Sequence, residues 1–334
     1  MVKHAVIALA LVGCGSFEDP DIVIDFRVLA MSASVPEQVV DIDITNPAPP
    51  PNLLDQLVPT DVCALLSDRN FERRIRWSMT LCNLNSDERC PDGGPKTVIG
   101  AGLWDDPEGD DKDMAGAPPT FCATVPVDGN LLGVILDSLD SDQFKGLGGV
   151  YYGVSLVVGG EDGDPDLDLY AAKSLRVQPR IPPELQANNN PSLAGVDVRL
   201  AEDQEFQPLT LKRCEDLDNA GIEPPVVAPR QKIRFMPIEP DGVREEYVVP
   251  TIDGMSRMFT ESPTYQFLAS AGGFSAGSTG GPRDPFGNPA PLFTDWTAPA
   301  AKDLKGPTDV SFWFVQRDER LGLAWYEACV RVVP

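Results

Sequence analysis

The chain has 334 residues, of which 42% are hydrophobic and 23% charged, enough apolar material to build buried cores in about two domains. Its 51 acidic residues against 27 basic residues give a formal net charge of −24. This balance argues against nucleic acid as a partner, because phosphate binding requires a basic surface.

The first element along the chain has the layout of an export signal. One lysine, Lys3, precedes an apolar run over residues 5–12, and Gly13 then precedes Cys14. A charged start, an apolar middle and a small residue before the cleavage point are the three parts of a secretory signal. The run is too short to cross a bilayer, which takes about 20 apolar residues.

The sequence Leu11-Val12-Gly13-Cys14 resembles the lipobox of bacterial lipoproteins. The resemblance implies that residues 1–13 are removed and that Cys14 is acylated and becomes the first residue of the mature chain. A lipid bilayer is then one partner. Gly15 and Ser16 after the cysteine, where some lipoproteins carry aspartate, imply the outer membrane. The alternative is an ordinary secretory signal with a chance cysteine.

The histidine content bears on catalysis. The one histidine, His4, lies in the predicted signal, so the mature chain is expected to contain none. Histidine is the commonest general base near neutral pH and the commonest metal ligand. A G-x-S-x-G pattern at residues 273–277 therefore lacks the base that a nucleophile elbow needs. We expect a protein that is not an enzyme.

Seven cysteines become six once Cys14 is assigned to the lipid. An even number in an exported chain predicts disulfides. Pairing within each half gives Cys214–Cys329 in the second half. In the first half, pairing within the half leaves the connectivity open; we favour the local pair Cys82–Cys90 and then Cys63–Cys122. A zinc cluster is the alternative. However, seven residues lie between Cys82 and Cys90, whereas the two cysteine ligands of a zinc knuckle are separated by about two to four residues.

Alternating apolar and polar residues predict half-buried strands, for example at residues 40–44 and 74–81. The two halves also share a pattern near their ends, since Tyr170–Pro179 aligns with Trp325–Pro334. Two shorter matches lie upstream: Val154–Leu156 with Val310–Phe312, and Pro36–Gln38 with Pro229–Gln231. Such self-similarity indicates a duplicated unit.

Short strands, 33 prolines and 29 glycines predict an all-β fold of two immunoglobulin-like β-sandwich domains in tandem. The arrangement resembles the tandem immunoglobulin-like domains of bacterial surface lipoproteins. One short helix is expected at 130–139, capped by Asp128, and a short turn within 52–66. The expected layout is an acidic tether at 14–25, a first sandwich at 26–179, a linker at 180–191 rich in proline and asparagine, and a second sandwich at 192–334.

Two groups of side chains are candidate binding sites. Alternating carboxylates in one loop predict a calcium site, because calcium takes carboxylate oxygens; they are Asp162, Asp164, Asp166 and Asp168. A second acidic run, at 105–113, is typical of a solvated loop. The second group, a candidate platform for sugar rings, consists of Trp104, Tyr265 and Trp296. No cofactor other than calcium is expected.

Together these features favour a non-catalytic, lipid-anchored protein of the cell envelope that acts as a structural or adhesive interaction module. Its partner is an envelope or extracellular macromolecule that the sequence does not identify. The main alternative is a surface module that binds polysaccharide or calcium. A third is a glycosidase that uses two carboxylates.

Overall fold

The computed structural model describes residues 19–42, 50–67, 74–104, 121–143, 145–251 and 255–334. These residues form an all-β fold, as predicted, and they include two short α-helices. The predicted lipobox, His4, the end of the strand predicted at 40–44 and the acidic run at 105–113 lie outside the described residues.

The first sandwich contains a three-stranded and a five-stranded sheet. Its strands are β1 (Arg27–Ala33), β2 (Glu37–Val40), β3 (Thr60–Ser67), β4 (Ile75–Cys82), β5 (Lys96–Trp104), β6 (Phe121–Val125), β7 (Val150–Gly160) and β8 (Leu169–Pro179). The strand orders are β1-β3-β6 and β2-β8-β7-β4-β5, and β2–β8 is the parallel pair. Helix α1 (Gly129–Ser141) follows β6, and Asp128 caps it as predicted by accepting from the backbone N–H groups of Asn130 and Leu131.

The second sandwich repeats this plan with additions. Its strands are β9 (Gly195–Arg199), β10 (Gln207–Pro208), β11 (Val226–Val227), β12 (Lys232–Ile238), β13 (Glu246–Pro250), β14 (Ser256–Thr260), β15 (Thr264–Ala269), β16 (Gly273–Phe274), β17 (Ser278–Gly280), β18 (Thr294–Thr297), β19 (Thr308–Arg317) and β20 (Leu323–Val332), and its helix is α2 (Cys214–Asn219). The two main sheets have the orders β10-β9-β12-β18-β16 and β11-β20-β19-β15-β17. Strands β13 and β14 form a separate hairpin.

The repeat seen in the sequence occupies equivalent places in the two sandwiches. Strands β8 and β20 each pair with one long antiparallel strand and one short parallel strand. Leu175 and Val177 in β8, like Val330 and Val332 in β20, are buried in the respective cores. One predicted match is wrong: Pro36–Gln38 leads into β2, whereas Pro229–Gln231 precedes β12, which corresponds to β3.

A third core joins the two sandwiches into four layers of sheet. Its side chains come from the outer face of β1 and β3 and from the outer face of β15, β19 and β20, and Val23 completes it. The buried members include Leu29, Leu65, Leu268 and Trp313. A β-bulge between Val28 and Ala30 lets two successive residues of β1 contribute to this core. The sandwiches therefore pack face to face through apolar surface.

Two local expectations are corrected. Residues 60–66, within the predicted turn region, belong to β3, and the turn is confined to a 3-10 segment at Leu54–Gln56. The second sandwich also contains a helix, α2, which the sequence analysis does not predict. Cys214 begins α2 and is bonded to Cys329 on the outer face of β20, so the helix covers this disulfide and Cys329 is fully buried.

Candidate functional site

The candidate site lies where one end of the second sandwich meets the linker, and we call this the junction end. There β15 starts at Thr264, β19 finishes at Arg317, and the β13–β14 hairpin leaves the sheet. The turn at residues 318–322 connects β19 to β20 at the same end. This end collects the linker asparagines, a buried ionic cluster, an acidic cleft and several exposed apolar side chains.

The linker asparagines hold the two sandwiches together. Asn188 donates from its backbone N–H to Glu37 Oε2 at 2.7 Å and from Nδ2 to the carbonyl of Arg320 at 2.9 Å. Asn190 donates from Nδ2 to the carbonyl of Ala33 at 2.6 Å and accepts from the N–H of Leu323 at 3.0 Å. Each asparagine thus contacts both sandwiches, and the predicted linker is a hydrogen-bonded bracket.

A buried arginine is the centre of the ionic cluster. Arg320 donates from Nε to Glu261 Oε1 at 2.9 Å and from Nη2 to Asn188 Oδ1 at 2.9 Å. Its Nη2 also lies 3.4 Å from Glu245 Oε2. Glu261 is only 2% exposed. Burial, with added repulsion from Asp318, raises the pKa of Glu261 to about 7, although the charge of Arg320 opposes the rise.

A lysine of the first sandwich also contributes to the junction. Lys173 on β8 is buried and donates from Nζ to the carbonyl of Leu321. Burial lowers the pKa of Lys173 to about 8, while the charge of Asp318 opposes the change. Leu321 has φ of 81°, a left-handed conformation that non-glycine residues rarely adopt. The turn keeps this conformation because Asp318 Oδ1 accepts from the N–H groups of Arg320 and Gly322.

The acidic cleft opens beside this cluster and has a volume of about 280 Å³. Its lining combines amide and hydroxyl groups with carboxylates; the polar residues are Asn189, Asn190, Ser192, Asp241, Glu245 and Glu261. Asn189 Nδ2 donates to Glu245 Oε1 at 2.9 Å. Donors and acceptors at these positions suit a ligand with many hydroxyl groups.

The β13–β14 hairpin carries exposed apolar side chains next to the cleft residue Glu245. Tyr247 and Phe259 stack with their ring centroids 5.6 Å apart, and Arg320 Cζ lies 4.9 Å from the centroid of Tyr247. Met258 is 64% exposed and Met255 67% exposed. Aromatic and methionine side chains are enriched in the contact surfaces of proteins, so these residues are candidate contacts.

A second apolar group leaves the sandwich at the same end. The loop after β17 begins beside Thr264, and at its tip Phe286 is 90% exposed. Asp284 holds this tip, because its Oδ1 accepts from the N–H groups of Phe286 and Asn288 at 2.9 Å and 2.8 Å. The turn presents an aromatic ring to solvent on a hydrogen-bonded support.

The structure does not bring the four candidate calcium ligands together. Asp168 Oδ1 pairs with Arg76 Nη2 at 2.5 Å, and Asp164 Oδ1 accepts from the N–H of Asp166 at 3.0 Å. In the part of the chain that the structure describes, no group of three histidine, cysteine or acidic side chains is placed to hold a metal ion. Calcium binding here stays a prediction.

The other sequence candidates have structural roles. Tyr265 and Trp296 are buried in the second core, so the predicted sugar platform is wrong at these two positions. Ser275 accepts from the N–H of Asp295 through Oγ at 3.0 Å and lies after the edge strand β16, without the strand-to-helix turn of a nucleophile elbow. Three disulfides join Cys63 to Cys122, Cys82 to Cys90 and Cys214 to Cys329, the pairs that the sequence analysis favours.

Sequence reasoning missed the residues of the junction end. Glu245, Glu261 and Arg320 are far apart in the chain, and the fold brings them together through the base of the hairpin and the turn after β19. A weak signal exists in the Asn188–Asn190 run, which the sequence places in the linker. Phe286 carried a clearer signal, a lone aromatic residue in a loop rich in proline and glycine.

Comparisons with known proteins give distant likenesses of fold alone. No family model matches the chain, and no curated protein matches it. A transglutaminase from red sea bream aligns at 7% identity over 92% of this chain with a TM-score of 0.26, and the chain spans 31% of its length. The C-terminal domain of the AgI/II polypeptide BspA from Streptococcus agalactiae aligns at 10% identity, over 90% of this chain and 99% of the domain, with a TM-score of 0.22. A collagen adhesin from S. aureus aligns at 8% identity, over 92% of this chain and 93% of its own, with a TM-score of 0.15.

Among the residues that the structure describes, none of the helices has the length and apolar character needed to cross a bilayer.

Proposed function

We propose that the protein is a non-catalytic module of a bacterial cell envelope, anchored by lipid on Cys14, that binds another macromolecule through the junction end. The observation that carries this proposal is the exposure of apolar side chains on two supports at that one end. These are the β13–β14 hairpin, with Met255, Met258 and Phe259, and the turn with Phe286. Exposed apolar groups next to polar residues favour a protein contact surface.

The rigidity of the four-layer block supports the same function. The third core and the asparagine bracket join the two sandwiches, so they hold the base of the junction end against the first sandwich. A preorganised surface loses little conformational entropy on binding. The lipobox resemblance supports anchorage, and the residues after Cys14 favour the outer membrane.

Capture of partners from intact cells tests the proposal. The lipidated protein is crosslinked in place, and partners are compared between the wild type, Phe286→Ser combined with Met258→Ser, and Leu167→Ser. Leu167 is a matched control, because it is 78% exposed on a loop of the first sandwich. We expect the double variant to lose a specific partner at least about tenfold, which corresponds to about 1.4 kcal/mol. Equal capture by all three proteins would contradict the proposal.

A second candidate function, binding of polysaccharide, is favoured by the cleft. Its amide and carboxylate groups lie beside the stacked pair Tyr247–Phe259, and sugar recognition commonly combines polar groups with an aromatic face. Titration calorimetry with envelope polysaccharides should then show binding that Glu245→Gln weakens. Release of reducing ends, lost in Glu261→Gln, would instead support the glycosidase alternative.

A further inference from the structure

The residues before β1 are docked against the second sandwich, although they belong to the first half of the chain. We call residues 19–25 the N-terminal arm. Ile22 forms a parallel bridge with Ala269 at the end of β15. The N–H of Val23 donates to the carbonyl of Ala269 at 2.8 Å, and the N–H of Ala269 donates to the carbonyl of Asp21 at 3.0 Å. Val23 is buried in the third core, so the arm is part of the folded block.

The absence of a side chain at Gly277 leaves room for the N-terminal arm. A Cβ atom on Gly277 would collide with the Asp21 carboxylate, whereas a Cβ atom on Gly273, four residues earlier, would meet no atom within 4 Å. Arg27 Nη1 also donates to the carbonyl of Pro20 at 2.8 Å and holds the start of the arm. Burial raises the pKa of Asp21, with a further contribution from the charge of Asp19. These contacts explain the last glycine of the G-x-S-x-G pattern without catalysis.

The length of chain between the arm and Cys14 is short. Asp19 lies five positions after Cys14, and five extended residues reach at most about 17 Å. Without the docked arm, the first fixed residue would be Arg27, thirteen residues from Cys14, with a maximum reach of about 45 Å. Docking of the arm therefore shortens the permitted distance between the lipid and the folded block by more than half.

We propose that the flank of the second sandwich around Asp21 and Gly277 faces the bilayer. The docked arm holds it there, because only a short length of chain joins Cys14 to Asp19; we call this length the short leash. The proposal rests on the lipidation of Cys14 in the proposed function. Ala269 and Thr264 are the two ends of β15, about 17 Å apart at the usual rise per residue. The arm bonds to Ala269, while the hairpin and the cleft lie beyond Thr264. The junction end is consequently the part of the second sandwich directed away from the membrane.

Energy transfer to the bilayer tests this arrangement. The lipidated protein is reconstituted in vesicles of phosphatidylethanolamine and phosphatidylglycerol that contain an acceptor-labelled lipid. A fluorescent amino acid replaces either Lys305 or Arg257. Both are exposed; Lys305 lies just before β19 at the Ala269 end, and Arg257 lies on the hairpin. We expect stronger transfer from position 305 than from position 257, and equal or reversed transfer would overturn the proposal.

Two variants that lengthen the short leash complete the experiment. Ten glycine and serine residues inserted between Ser16 and Phe17 raise the mean reach of the chain between Cys14 and Asp19 from about 12 Å to about 21 Å and should lower transfer from position 305 by about half. Gly277→Val should act in the same direction by displacing the arm, with Gly273→Val as the matched control and Asp21→Ala as the compensating change. Unchanged transfer in the insertion variant would overturn the short leash. Cys14→Ser separates the two proposals. Vesicle binding that survives in this variant would refute lipidation, whereas binding lost in this variant together with unchanged transfer in the insertion variant would refute the short leash alone.

Discussion

The backbone N–H of Asn188 donates to the Glu37 carboxylate at 2.7 Å, although 151 residues separate them in the chain. Glu37 is fully buried and also accepts from Arg176 Nε and Gln178 Nε2, both at 2.6 Å. Asn188 thus binds a charged group of the first sandwich through its backbone N–H, while its side chain binds Asp318 and the carbonyl of Arg320 in the second sandwich. These bonds hold the linker against both sandwiches.

Asn188→Ala should destabilise the protein by about 2–3 kcal/mol, because it leaves buried partners of the Asn188 side chain at Asp318 and Arg320 without their hydrogen bonds. Asn189→Ala is the matched control. Its side chain bonds to Glu245 at an exposed position, so the expected change is under about 0.5 kcal/mol. Denaturant unfolding measures both values, and equal losses would show that the bracket does not join the sandwiches.

Two neighbouring leucines on β3 belong to different cores. Leu65 points into the third core and Leu66 into the core of the first sandwich. Each change to alanine should cost about 2–5 kcal/mol. Calorimetry should show one transition in the wild type, and Leu65→Ala should divide it into two by uncoupling the sandwiches. If Leu65→Ala kept one transition, the third core would not be the element that couples the sandwiches.

Glu261 should make stability depend on pH. Its pKa is about 7 in the folded protein against 4.5 for the free group, so the folded state binds a proton more tightly between these values. The contribution of Glu261 to the free energy of unfolding is complete below pH 4.5 and is lost as the pH rises through 7. The loss is at most about 3 kcal/mol, from about 1.4 kcal/mol per pKa unit.

Unfolding of the wild type and of Glu261→Gln at pH 5 and pH 8 checks this prediction. The difference between the two proteins isolates Glu261 from the other acidic groups. The variant should lose less stability than the wild type between these two values, and parallel pH profiles would refute the assignment.

The disulfides should differ in their contribution because they close loops of different length. Cys214–Cys329 spans 115 residues and Cys82–Cys90 spans 8. On the chain-entropy estimate, replacement of both cysteines by serine costs about 5 kcal/mol for the first pair and about 2–3 kcal/mol for the second. Thermal unfolding of the two double variants tests the order, and an equal loss would contradict the estimate.

Much of the secondary structure could be predicted from local patterns. Alternation in β4 and the capping of α1 by Asp128 are short-range signals, and both appear in the structure. The pair Cys214–Cys329 also followed from dividing the chain into halves, and the first-half pairs followed from the nearness of Cys82 and Cys90 in the sequence. The third core depends on how whole sheets pack, which no local pattern specifies. The apolar run Phe312–Val315 in β19 carried a signal for it, since a strand apolar on both faces is buried on both.

The candidate site was less accessible to sequence reasoning. Glu261 and Arg320 are acidic and basic residues among many, and only the fold buries them against each other. The calcium site was predicted from the spacing of its aspartates in the sequence, but Asp168 forms an ion pair with Arg76 from a distant strand. Long-range ionic partners of this kind leave no local trace in the sequence.

Mass spectrometry of the N-terminal peptide from membrane and soluble fractions tests whether lipid on Cys14 anchors the protein. We expect a peptide that begins at Cys14, carries acyl chains and occurs in the membrane fraction, and we expect Cys14→Ser to be released from that fraction. A peptide that begins at Met1, or an unmodified Cys14 in the soluble fraction, would refute lipid anchorage.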